Sequence, residues 1–215
     1  MPPCFLHCGV FILPKAALIL ISYKECLCFM RKATFHLRDI ILLALIAIIF
    51  GVIYYAAAFV YNGLTVLLTP IGYGPVANDI TMGIWCMAGP LAGFLLRLPG
   101  ASFLGEFLGA AVEMFLGDQW GAANLLSGVV QGVGTELGFT VTGYRVYNWL
   151  TVILTSITTT LVTFAWDWFR NGYSHFAPTM LIVMLVVRFL SMLVFSGILV
   201  KLIVNLLVRA HAIKG

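Results

Sequence analysis

The residues that could do chemistry in this 215-residue chain are carboxylates, carboxamides and aromatic rings set within or beside long apolar segments. Ionisable groups in hydrocarbon are costly, so those that persist usually face a cavity or a charged partner. With about 1.5 Å of helical rise per residue, one set falls towards the same end of the apolar segments. This outer set comprises Asp79, Glu113, Asn124, Gln131, Trp85, Trp166 and Tyr173.

The outer set offers hydrogen bonds and stacking faces, which is the chemistry of a pocket for a small planar ligand. The alternative for Glu113 is a carboxylate that reaches the membrane interface without a ligand. The tryptophans at this end have two interpretations, a belt at the membrane interface or an aromatic-lined pocket open to the exterior. Both stay open for Trp85, Trp120, Trp166 and Trp168.

A deeper set of charged residues consists of Glu106, Glu136 and Arg188. A buried charge is usually paired, and Arg188 has two carboxylates at neighbouring depths. We therefore interpret this set as structural and expect Arg188 to pair with Glu106 or Glu136.

The composition places these residues in a membrane protein. Hydrophobic residues make up 62% of the chain and charged residues 9%, with a mean hydropathy of +1.06. A soluble domain carries about 25% charged residues because its surface faces water. The formal net charge is +4, but no Lys/Arg cluster is interleaved with aromatic residues, which argues against nucleic acid as a partner.

A transmembrane helix needs about 20 mostly apolar residues. Such runs lie near 37–60, 77–97, 101–117, 121–143, 148–169 and 178–208, with turn-forming residues between them. We predict an all-α integral membrane protein, a bundle of about six transmembrane helices. The Lys and Arg residues outside the runs gather on one side, so both termini should be cytoplasmic.

The N-terminal residues 1–29 do not fit this pattern. Their apolar stretch is interrupted by Pro14, Lys15, Lys24 and Glu25, and Met30-Arg31-Lys32 then precedes a clean hydrophobic run. We expect residues 1–29 to be an atypical extension arising from a mis-assigned start, and residues 30–215 to form the membrane domain.

Motifs for catalysis are missing from the sequence. It contains no Gly-x-x-x-x-Gly-Lys-[Ser/Thr] loop for ATP hydrolysis and no His-Glu-x-x-His zinc motif. No histidine can pair with a buried serine as an intramembrane serine protease would require. We predict no enzyme activity, no cofactor and no metal site.

Small residues recur at four-residue spacing, as in Ala47-Ile-Ile-Phe-Gly51 on the first predicted helix. Such stripes let helix backbones approach closely within lipid. Most of them should be internal packing. The stripe on the first helix could equally face another membrane protein.

Several motifs together resemble one family, the YkoE-type substrate-binding components (S-components) of energy-coupling-factor (ECF) vitamin transporters. The resemblance covers the chain from Arg31 to the C-terminus. It rests on Gly83-Ile84-Trp85, Arg97-Leu-Pro-Gly-Ala101, Glu106, Ala111-Val-Glu113-x-x-Leu116-Gly117 and Gly128-x-x-Gln131-Gly132-x-Gly134-x-Glu136.

The resemblance implies a six-helix S-component of the bacterial cytoplasmic membrane that binds thiamine or its hydroxymethylpyrimidine precursor from outside. Its implied partners are a transmembrane coupling protein, contacted through Ala47 and Gly51, and ABC-type ATPase subunits. For an aminopyrimidine, Glu113 would accept from the amino group and Trp85 and Trp166 would stack on the ring. Asn124 and Gln131 would meet the ring nitrogens.

Other functions stay open at this point. The chain could be an S-component for another vitamin such as pyridoxine or riboflavin. It could also be a carrier or channel that works without partners, or a structural membrane subunit without a ligand.

Overall fold

The long apolar runs fold into helices throughout the part of the chain that the computed structural model describes, residues 35–210. The predicted extension 1–29 and the predicted start at Met30 lie outside these residues. The helices are α1 (Leu37–Leu68), α2 (Val76–Trp85), α3 (Ala88–Leu96), α4 (Ala101–Phe115), α5 (Ala123–Val141), α6 (Trp149–Arg170), α7 (Pro178–Ser191) and α8 (Val200–Arg209). Single 3-10 turns occupy Thr69–Ile71 and Tyr173–His175, and the π-helical segment Met192–Leu199 joins α7 to α8.

Four helical segments are long and apolar enough to cross a membrane. They are Leu37–Ile71, Val76–Leu96, Trp149–Arg170 and Pro178–Arg209. α4 packs against α1 and α5, and α5 packs against α6. The prediction of an all-helical, multi-pass membrane protein is confirmed.

The predicted turns coincide with breaks between helices. Gly100 precedes α4, Gly117 follows it and Gly172 follows α6, all with positive φ. One break was not predicted. The apolar run 77–97, expected to be one helix, is divided at Cys86 and Met87. Pro90 lies four residues after Cys86, and a proline ring clashes with the carbonyl of residue i−4.

The break creates a new helix start at Ala88, and side chains accept from the backbone N–H groups there. The backbone N–H of Ala88 donates to the hydroxyl of Tyr54 over 2.8 Å, and that of Gly89 donates to Glu106 Oε2 over 2.6 Å. The first N–H groups of a helix have no partner within it. Glu106 therefore satisfies a helix start.

Close approach of α5 and α6 depends on glycines that face threonines. A Cβ on Gly134 would lie 2.9 Å from Thr159 Cα, and one on Gly138 would lie 2.4 Å from Thr155 Cα. Both contacts are with backbone atoms, which cannot rotate away. This glycine stripe is internal packing, as predicted.

The stripe on α1 is also internal, which corrects the expectation of a partner interface at Ala47 and Gly51. A Cβ on Gly51 would lie 2.5 Å from Val112 Cγ1, and Ala47 keeps only 3% of its surface exposed. The small residues let α4 approach α1, so the chain itself covers the surface that the resemblance assigned to a coupling protein.

We predict that Gly138→Ala destabilises the protein by about 1–3 kcal/mol, because the added methyl group overpacks the contact with Thr155. Gly63→Ala is the matched control: it lies within α1, and a Cβ there meets no atom within 4 Å. Thermal unfolding of the purified protein in detergent measures both. Equal melting temperatures for the two variants would show that α5 can move away from α6.

Candidate functional site

A cavity of about 290 Å³ lies among the ends of several helices. This volume is near the lower limit for small-molecule pockets, about 300 Å³. α2, α5 and α6 supply most of the walls, and α1, the residue before α2 and the loops after α4 and α6 supply the rest. The lining residues are Tyr61, Pro75, Asn78, Met82, Trp85, Trp120, Asn124, Ser127, Val130, Gln131, Thr163, Trp166, Asp167, Arg170, Asn171, Tyr173 and Phe176.

Aromatic rings form one side of the cavity. The ring centroids of Trp85 and Trp120 lie 5.4 Å apart at 88°, and Tyr61 lies 5.6 Å from Trp120 and 5.9 Å from Trp85. Edge-on contacts of this kind hold large rings in fixed orientations. Trp166 also lines the cavity, whereas Trp168 does not and is 39% exposed. Of the four tryptophans at this end, Trp85, Trp120 and Trp166 therefore line the cavity.

Glu113 stands behind the cavity wall. It is 1% exposed and does not line the cavity. Its Oε1 accepts from Trp85 Nε1 over 3.1 Å, and its Oε2 accepts from Asn124 Nδ2 over 2.6 Å. Glu113 on α4 thus ties α2 to α5 and orients two lining residues. This differs from the direct ligand contact expected from the sequence.

The remaining members of the outer set divide between wall and interior. Asn124 and Gln131 line the cavity from α5, and Tyr173 lines it from the turn after α6. Asp79 does not line it and is fully buried.

Arg188 is fully buried and joins three helices. Its Nε donates to Asp79 Oδ1 over 2.6 Å, and its Nη2 donates to Asp167 Oδ2 over 2.6 Å and to the Tyr173 hydroxyl over 3.0 Å. The expected pairing of Arg188 with Glu106 or Glu136 is therefore wrong. Both glutamates have other partners, and α7 places Arg188 between α2 and α6.

The start of α4 explains why Glu136 is not available to Arg188. Glu136 accepts from the backbone N–H of Gly100 over 2.6 Å and from that of Phe103 over 3.0 Å. A carboxylate at this position satisfies N–H groups and the positive end of the helix dipole. Tyr144, in the loop after α5, donates a hydrogen bond from its hydroxyl to Glu136. The pKa of Tyr144 is raised mainly by burial and also by this hydrogen bond.

Several lining residues were not predicted from the sequence, although the helical spacing of α6 places Thr163, Asp167 and Arg170 beside the predicted Trp166. Thr163, Trp166, Asp167 and Arg170 follow the spacing i, i+3, i+4, i+7, so they share one face of α6. Asn78, Met82 and Trp85 likewise follow the spacing i, i+4, i+7 on α2, whereas Tyr61 carries no such pattern. Tyr61 reaches the cavity from α1, beside Trp120 in the loop after α4.

The packed membrane helices and the cavity among their ends define the class: a multi-pass membrane protein with a site for a small solute. Comparisons with known proteins give the family. Residues 38–162 match the family model described as ABC-type cobalt transport system, permease component. A protein of Bacillus subtilis (strain 168) named as an HMP/thiamine permease protein, YkoE, is 30% identical over 182 residues, 85% of this chain and 89% of that protein.

A solved structure agrees with these matches. It is a crystal structure of an S-component of an ECF transporter, with a TM-score of 0.77 and 29% sequence identity, covering 83% of this chain and 88% of the other. The chain therefore belongs to this family of permease components and is a YkoE-type S-component of an ECF transporter.

We predict that Arg188→Met destabilises the protein by about 3–5 kcal/mol, because it leaves two buried carboxylates without their cation. Arg170→Met is the control, since Arg170 is exposed and donates to Ser127 Oγ. Thermal unfolding in detergent compares the two variants. A stable Arg188→Met protein would mean that Asp79 and Asp167 do not depend on the guanidinium.

Proposed function

We propose that this chain is the substrate-capturing subunit for hydroxymethylpyrimidine (HMP) or thiamine in an ECF-type importer. The observation that carries the proposal is the cavity lined by three tryptophans together with carboxamide and carboxylate side chains. The name of the Bacillus subtilis relative, an HMP/thiamine permease protein, supports the choice of ligand.

The lining residues suit an aminopyrimidine. A flat heteroaromatic ring stacks on indole faces, which Trp85 and Trp166 supply. The side chains of Asn124, Gln131 and Tyr173 offer hydrogen bonds to ring nitrogens and to a hydroxymethyl group. Glu113 acts from behind the wall by holding Trp85 and Asn124. Asp79 pairs with Arg188 and does not reach the cavity.

We place the chain in a bacterial cytoplasmic membrane with six membrane-embedded segments, α2 with α3 and α7 with α8 each counting as one. α4, with 15 residues, and α5, with 19, are the two segments beyond the four candidate spans. Lys and Arg residues outside the segments are concentrated on one side, which favours cytoplasmic termini and a cavity that opens to the exterior.

Transport in this proposal requires partners. We infer from the similarity to an ECF S-component that the energy comes from ABC-type ATPase subunits acting through a transmembrane coupling protein. The sequence itself has no Gly-x-x-x-x-Gly-Lys-[Ser/Thr] loop for ATP. The purified chain should bind its ligand without accumulating it.

The ligand is tested by isothermal titration calorimetry of the purified protein with HMP, thiamine, pyridoxine and riboflavin. We expect saturable binding of HMP or thiamine, and at most weak binding of the other two. Tighter binding of pyridoxine or riboflavin would identify an S-component for a different vitamin. Absence of binding to all four would contradict the proposal.

A liposome assay separates a binding subunit from a self-sufficient carrier. Vesicles containing only this chain should not accumulate radiolabelled ligand, and vesicles that also contain a coupling protein and ATPase subunits should do so when supplied with ATP. Accumulation by the chain alone would assign it to the carriers.

We predict that Glu113→Ala weakens binding about tenfold or more, because it removes one hydrogen bond from each of two wall residues, and each bond is worth about 1 kcal/mol or more. Glu113→Gln should weaken binding less, since its amide oxygen can still accept one of the two bonds. Asp39→Asn, near the start of α1, is the control.

Calorimetry gives the affinities, and the tryptophan emission spectrum reports whether the environment of the five tryptophans, Trp85 among them, changes. If Glu113→Gln abolished binding without changing the spectrum, the carboxylate would contact the ligand itself.

A further inference from the structure

We propose that Asp167 is the group that accepts a hydrogen bond from the amino group of the ligand, and that Arg188 and Asn78 fix its orientation. This inference rests on the proposed function, since it concerns how the same cavity selects an amino-bearing ring. It assigns ligand recognition to a carboxylate that the sequence patterns did not single out.

The free oxygen of Asp167 carries the inference. Asn78 Nδ2 donates to Asp167 Oδ2 over 3.1 Å, and Arg188 Nη2 donates to the same oxygen over 2.6 Å. Within residues 35–210 no side chain or backbone group donates to Oδ1. Asp167 lines the cavity and keeps 7% of its side-chain surface exposed. One oxygen is therefore anchored and the other is available to a ligand.

The charges around Arg188 favour a hydrogen-bond donor of the ligand next to Asp167. One guanidinium stands between two carboxylates, Asp79 and Asp167, so the formal charge of the cluster is negative. Asp79 is fully buried and does not line the cavity, which leaves Asp167 as the member of the pair that a ligand can reach. A hydrogen bond to a charged acceptor is stronger than a neutral one, and low local polarity strengthens it further.

The other charged groups near the cavity do not offer the same contact. Glu113 uses one oxygen for Trp85 and the other for Asn124, and it does not line the cavity. Arg170 lines the cavity but is exposed and donates to Ser127 Oγ over 2.6 Å. Being a cation, Arg170 could bind an acceptor but not an amino group.

This geometry predicts selectivity between an amino group and a carbonyl group on the same ring. An amino group donates to Asp167 Oδ1, whereas a ring carbonyl would place one acceptor against another. A buried polar group left without its partner is a strong basis for rejecting an analogue. The wild-type protein should therefore prefer the amino compound by about ten- to a hundredfold.

The test measures dissociation constants of HMP and of its analogue with a ring carbonyl in place of the amino group. Asp167→Asn should reduce the preference to near unity, because its carboxamide can donate to the carbonyl. Asp79→Asn is the matched control, since it also removes one carboxylate from Arg188 but lies away from the cavity. It should keep the wild-type preference.

Asp167→Ser is measured in parallel, so that the proposal can still be tested if Asp167→Asn does not fold. It too leaves Arg188 paired with Asp79, and it should also lose the preference. Melting temperatures in detergent establish which variants are folded.

The outcomes separate this inference from the proposed function. If the wild-type protein prefers HMP and a folded Asp167 variant keeps that preference, Asp167 does not accept from the amino group, although the chain still binds HMP. Equal loss of preference in Asp79→Asn would also overturn the inference, because the effect would then arise from the charge cluster as a whole. If the wild-type protein binds neither of these compounds nor thiamine, the proposed function itself fails. If it binds thiamine alone, the same preference is measured with thiamine and its ring-carbonyl analogue.

Discussion

Every ionisable side chain that the helices carry into the apolar interior has to find a partner within the protein, because hydrocarbon supplies none. The described residues use backbone N–H groups, opposite charges and, for Glu113, the neutral side chains of Trp85 and Asn124. Glu106 and Glu136 satisfy backbone N–H groups at the starts of α3 and α4. Arg188 lies between the carboxylates of Asp79 and Asp167. These contacts fix the relative positions of helices that otherwise meet through weakly directional apolar packing.

The cavity is a consequence of the same contacts. The glycines of α5 bring its backbone against α6, while Arg188 joins α7 to α2 and α6 through Asp79 and Asp167. Glu113 then connects α2 and α5 through Trp85 and Asn124. Wall residues held in this way can recognise a ligand with little loss of side-chain freedom on binding, which raises affinity.

The proposed recognition is divided between two kinds of surface. The rings of Tyr61, Trp85 and Trp120 would restrict the ligand to a flat shape. Asp167, held through one oxygen, would accept a hydrogen bond from one point of that ligand. A site of this kind separates ligands by the direction of their hydrogen bonds, which discriminates more strongly than size alone.

The sequence by itself determined the membrane class, the helical segments and most of their ends, because apolar length, glycine and proline act locally. It also identified Trp85, Asn124, Gln131, Trp166 and Tyr173, which do line the cavity. Only the tertiary structure decided the partners of Arg188, the position of Glu113 behind the wall and the burial of Ala47 and Gly51 under α4. These depend on which helix faces meet, and depth along separate helices does not specify their rotation. A carboxylate predicted to pair with a cation can equally satisfy a helix start, and only the packing selects between them.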